Sequence, residues 1–158
     1  MMGINHRDFH THVIAPVCEY VALNCGVPNT PTARDLILVT AACETQMGAI
    51  LPPGGITRID EATFRELLRN YIENGPRFFG AMETFFPHDP SGWDDLAWNL
   101  AGSVLLTRLI YHRAKADTEP PPQPPSEYID HLWMCYSRVW VKQDQDAFRL
   151  YLPLTGII

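Results

Sequence analysis

Basic residues are scarce in this 158-residue sequence: 12 Lys and Arg stand against 18 Asp and Glu, for a formal net charge of −6. A surface that grips phosphate backbones needs clustered Lys and Arg, so no nucleic-acid partner is expected. Long apolar runs are missing too. The longest, Leu36 to Cys43, is about half of what a bilayer crossing needs, which predicts no membrane span. The opening Met1-Met2-Gly3-Ile4-Asn5-His6-Arg7-Asp8 lacks both the basic and the apolar stretch of a signal peptide, so synthesis in a cytoplasm is the expectation. Cysteine is sparse and irregular, at Cys18, Cys25, Cys43 and Cys135, with no CxxC pair to build a zinc knuckle. These four read as reduced core residues, and no metal or cofactor is expected. Strand signals are almost absent, and no repeat divides the chain.

Apolar residues are plentiful. At 46% hydrophobic and 19% charged, the composition lies well away from that of disordered chains. A chain of this length buries roughly 70% of its unfolded surface, so residues 1–158 are expected to form a single domain around one core.

Helical periodicity accounts for nearly all of it. Phe9, Val13, Val17, Tyr20 and Val21 follow the N-cap Asn5 and predict a helix from His6 to Leu23, kinked near Thr11 and His12 because Pro16 removes a backbone donor. Thr30 and Pro31 open a second helix. Its body, Leu36 to Cys43, is apolar on every side, which predicts a central helix that the others surround. A turn-rich loop spans Met47 to Thr57. Asp60 then caps a third helix, with Ile59 and Phe64 as a hydrophobic staple. A short helix through Phe78 to Phe86 follows, and a long one from Gly92 to Ala114 capped by Ser91. Lys115 to Pro125 holds five prolines and predicts a stiff, polyproline-like surface connector. Two more helices carry Ile129, Trp133, Tyr136 and Trp140, and then Asp144 to Leu152. The total is six or seven helices.

Three groups have chemical potential, each with a plain structural alternative. His6 and His10 share a helix face and could hold a metal, or stand solvated. Trp133, Tyr136 and Trp140 could stack on sugar faces, or pack as core. Glu44 ends the buried helix. A carboxyl held there should have a raised pKa, the condition for a general acid in glycoside cleavage; the plain alternative is a residue just reaching solvent.

Ala41-Ala42-Cys43-Glu44-Thr45-Gln46-Met47-Gly48 resembles the Ala-Ala-Gln-Glu-Ser segment of the goose-type lysozyme and lytic transglycosylase superfamily, and more closely small bacteriophage transglycosylase-like proteins. Gly55-Ile56-Thr57-Arg58-Ile59-Asp60-Glu61-Ala62-Thr63 resembles that family's Gly-Leu-Phe-Gln-Met-Glu-Pro-Ala-Thr motif, with Gly55, Ala62 and Thr63 identical. The likeness extends to Phe9–Tyr20, to Asn99-Leu100-Ala101, and to Tyr136–Trp140 followed by Ala147-Phe148. It covers most of the chain at low identity. It implies an all-α, single lysozyme-like domain with a buried central helix and Glu44 as the catalytic acid. Arg58, Trp133, Tyr136 and Trp140 are then the candidate substrate-binding set.

The departures are local. Thr57 and Arg58 replace the family's aromatic and glutamine, and the loop from Glu44 to Gly55 is shorter. A guanidinium near Glu44 is expected to lower its pKa, opposite to what a general acid requires. Two functions follow from the resemblance. One is a phage virion structural or partner-binding protein without turnover, its partners being other virion proteins or a host protein, with the apolar end Leu152–Ile158 either a docking tail or packed on its own domain. The other is an enzyme that cleaves peptidoglycan glycan strands, a lytic transglycosylase or muramidase. The altered second motif favours the first.

Overall fold

A computed structural model describes residues 3–50, 53–73, 75–87 and 92–158. Every regular element among them is helical. The first helix comprises α1 (His6–Phe9), a π-helical turn (His10–Ile14) and α2 (Ala15–Cys25), and it runs on without a break. Pro16 is accommodated by that turn, in which the Ala15 N–H donates to the His10 carbonyl five residues back. The widened turn makes room for the proline ring and falls on Thr11 and His12, where the distortion is expected.

The central helix α3 (Pro31–Thr45) starts as its sequence dictates: the Thr30 hydroxyl accepts from the Ala33 N–H at 3.1 Å, and Pro31 occupies the first turn. From Leu36 to Thr45 every residue is buried. Around it pack α6 (Leu100–Arg113), α7 (Pro125–Val139), α8 (Gln145–Tyr151) and a final 3₁₀ turn, Leu152–Thr155. Between them in sequence lie α4 (Glu61–Leu67) and α5 (Phe79–Phe85). Asp60 caps α4 through Thr63 N–H at 2.7 Å. Among the described residues no helix is long and apolar enough to cross a membrane.

Two expectations are corrected. The long helix does not begin at Gly92: Trp93–Ala97 forms a 3₁₀ turn and α6 starts at Leu100. Asn99 decides this, because its Oδ1 accepts from Gly102 N–H at 2.8 Å while its Nδ2 donates to the Phe85 carbonyl, and a capping side chain competes with helix continuation. Ser91, the expected cap, lies outside the described residues.

The connector is also more than a spacer. Ala116 is buried, Asp117 pairs with the buried Arg108, Glu119 accepts from Thr32 N–H, and the Thr118 carbonyl meets His131 Nε2. Lys115, Thr118 and Glu119 remain on the surface with most of the proline-rich half. Of the two alternatives for the apolar end, the structure shows packing on the domain: Leu152 and Thr155 are buried and Ile157 packs on the core, leaving Leu154 and Ile158 exposed.

Candidate functional site

Glu44 occupies the last turn of α3, and the backbone after it is bent in an unusual way. Gln46, Met47 and Gly48 have successive φ values of 51°, 57° and 83°, and two non-glycine residues there cost about 1–2 kcal/mol each. Several bonds hold the bend in place. The Thr45 hydroxyl donates to the Ile56 carbonyl at 2.7 Å and accepts from Gly48 N–H at 3.0 Å. The Ile4 N–H donates to the Met47 carbonyl at 2.7 Å, and Gln46 Nε2 donates to the Tyr151 hydroxyl. The bend thereby stacks the loop carrying Ile56, Thr57 and Arg58 against the end of α3.

The carboxyl itself is only 3% exposed. Its Oε2 accepts from the Tyr136 hydroxyl at 2.7 Å, while Oε1 is buried with no hydrogen-bond partner among the described residues. Burial pushes Glu44 above the ordinary carboxyl range, against the Tyr136 bond and the positive charges of Arg58 and Lys142, which pull it down. The expected action of Arg58 is therefore present in sign but outweighed by desolvation. Neighbours respond to the same burial: the Cys43 thiol is pushed up to about 12, with Glu44's charge contributing, and the Tyr136 hydroxyl is raised as well.

The structure gathers Glu44, Arg58, Tyr136 and Trp140 but places the aromatics in the core. Tyr136 is fully buried, and Trp140 stacks at 5.0 Å on Tyr111 while its Nε1 donates to the Thr57 carbonyl at 3.0 Å. Trp133 is half-buried against Phe148 and Tyr136. Thr57, where the resemblance puts an aromatic, is sealed inside with its hydroxyl bonded to that of Thr107 at 2.7 Å. Arg58 is half-buried at φ 52°, and its Nε is buried without a hydrogen-bond partner among the described residues. Lys142 was missed by the sequence reading, as was the pairing of Tyr136 with Glu44. The two residues are 92 positions apart, and no local pattern reports such a contact.

His6 and His10 line a separate cleft, and no group of three His, Cys, Asp or Glu side chains among the described residues is arranged to hold a metal ion.

Because the folded chain holds the Glu44 proton more tightly than the unfolded chain does, this group's favourable contribution is complete below the ordinary value of 4.5 and is lost as pH rises through the raised value. Glu44→Gln cannot titrate. Its stability relative to the unaltered chain should therefore increase between about pH 4 and pH 7, as measured by urea unfolding at several pH values. A difference that stays flat across that range would mean that Glu44 is not desolvated.

No family model, curated protein or solved structure matches this chain.

Proposed function

We propose that this chain is a structural or partner-binding component of a bacteriophage particle, built on a lysozyme-like helical scaffold and without glycan turnover at Glu44. The observation that carries the reading is the sealing of the acid. A general acid must reach the leaving oxygen of its substrate within hydrogen-bond distance, whereas this carboxyl is almost wholly covered and its one bonded oxygen is occupied by Tyr136. The aromatic faces that a sugar would need are used in packing, and Thr57 and Thr107 satisfy each other where a groove wall would stand. The surface offers a different feature. Trp98 is 87% exposed beside a groove lined by Phe85, Phe86 and Leu100, and exposed aromatics are the anchors that protein interfaces favour.

The phage assignment rests on the resemblance of the Glu44 and Gly55–Thr63 segments. Mass spectrometry of purified particles of the encoding phage tests it: the chain should be present at a fixed copy number, and its absence from intact particles would overturn the reading.

One observation favours the second function. A carboxyl raised by burial and held by a tyrosine hydroxyl is in the protonation state that glycan-strand cleavage requires. That reading makes Glu44 the acid of a peptidoglycan lytic transglycosylase or muramidase.

A further inference from the structure

Three of the four tryptophans are held by the fold. Trp93 Nε1 donates to the Ile59 carbonyl, Trp140 Nε1 donates to the Thr57 carbonyl, and Trp133 packs on Phe148. Trp98 alone has no side-chain hydrogen bond or ring contact among the described residues, and it is almost fully exposed. With Phe85, Phe86, Pro87, Asp95, Asn99 and Leu100 it lines a groove of about 450 Å³.

The groove is preformed. Asn99 ties the end of α5 to the start of α6, its Nδ2 donating to the Phe85 carbonyl and its Oδ1 accepting from Gly102 N–H. The Phe86 ring lies against Gly102, where a Cβ would come within 2.6 Å of it. A partner therefore meets a surface that is already ordered. Asp95 is the only charged side chain among the described lining residues, and its carboxylate has no hydrogen bond or ion pair among them. The Trp98 N–H donates to the Asp95 carbonyl at 3.0 Å, closing a 3₁₀-type turn. Side chains three residues apart in such a turn eclipse, so the indole and the carboxylate stand side by side on the groove.

Charge and aromatic surface together select the occupant. From Phe78 to Thr107 the sequence has Glu83, Asp89, Asp94 and Asp95 and neither Lys nor Arg. An acidic segment would be repelled, and a purely apolar one would cover the Asp95 carboxylate without a counter-charge. A cation satisfies Asp95 and is attracted to the indole face. Arginine does both at once, because a planar guanidinium stacks on an aromatic ring while its edge forks onto a carboxylate.

We infer that this groove docks a segment of a partner protein that presents an arginine beside an apolar residue. The guanidinium lies on Trp98 and Asp95, and the apolar side chain lies against Phe85, Phe86 and Leu100. The inference rests on the partner-binding reading above, and it needs neither the phage assignment nor Glu44.

The probe is acetyl-Gly-Leu-Arg-Leu-Gly-amide, titrated into the full chain while the Trp98 indole and Asn99 amide signals are followed by NMR. Both signals should shift and saturate with a dissociation constant below about 1 mM. Replacing the arginine of the peptide by citrulline, which keeps the shape and removes the charge, or by glutamate should weaken binding about tenfold or more. Asp95→Asn should weaken the arginine peptide severalfold, and Trp98→Ala about tenfold, read at the Asn99 amide. Neither side chain bonds within the fold, so both variants should keep the stability of the unaltered chain. No saturation below about 10 mM peptide, citrulline bound as tightly as arginine, or unchanged affinity in Trp98→Ala would each overturn the inference. So would self-association that Trp98→Ala abolishes, which would make a second copy of the chain the occupant. A chain present in phage particles whose groove ignores the peptide sinks this inference alone, whereas a chain absent from particles that binds the peptide supports it and sinks only the virion reading.

Discussion

Asp117→Ala is expected to cost about 3–5 kcal/mol of folding free energy, because it leaves a buried guanidinium without its counter-charge. Arg108 is 1% exposed, with Nη1 on Asp117 Oδ2 at 2.7 Å and Nη2 on the Pro28 carbonyl at 2.7 Å. Its Nε already lacks a hydrogen-bond partner among the described residues, so little remains to compensate the loss. The exposed pair Glu61–Arg65 provides a control: Glu61→Ala should change stability by no more than about 1 kcal/mol. Pairing Asp117→Ala with Arg108→Met should recover most of the loss, since an apolar side chain of similar volume needs no counter-charge. Urea unfolding of the four chains measures all of this. A loss below about 1 kcal/mol in Asp117→Ala would mean that the connector does not pin α6 as described.

Gly55→Ala should be nearly as damaging, at about 2–5 kcal/mol. The residue sits at φ +80°, and a Cβ there would lie 2.5 Å from the Leu96 carbonyl oxygen and 2.4 Å from Ser103 Oγ. The left-handed backbone contributes about 1–2 kcal/mol of that cost, and the overpacking about 1–3 kcal/mol. Gly26→Ala separates the two effects. It shares the left-handed conformation at φ +69°, but the nearest atom, Arg77 Nη1, is 3.7 Å away, so only the backbone cost of about 1–2 kcal/mol remains. Equal losses at the two glycines would show that the loop carrying Thr57 and Arg58 is not packed tightly onto α6.

The central helix was legible in the sequence because its signals are local and agree: a Thr-Pro start, then a run apolar on every face. Asp60 was legible as a cap for the same reason, its side chain bonding a backbone N–H three residues on. Asn99 is also a local signal, but the apolar periodicity on both sides of it hid the break. The connector misled because prolines mark a chain that cannot form helix or strand, while the residues that pin it, Asp117 and Glu119, find their partners on other elements, at Arg108 and Thr32. The candidate site divides along the same line. Glu44 could be found from its place at the end of a buried helix, and its raised pKa follows from that place. That the aromatics of α7 point inward, and that Tyr136 covers the acid, depends on how α7 packs across α3.

The account is tested most directly by incubating the purified chain with peptidoglycan sacculi and measuring soluble muropeptides. Sealing of Glu44 predicts no release above the buffer control, from the unaltered chain or from Arg58→Gln. Removing the guanidinium does not uncover the carboxyl, and a catalytic acid without a positioned substrate gives no turnover. Release by the unaltered chain that disappears in a folded Glu44→Gln variant would contradict the account and make Glu44 the acid of an active glycan-cleaving enzyme.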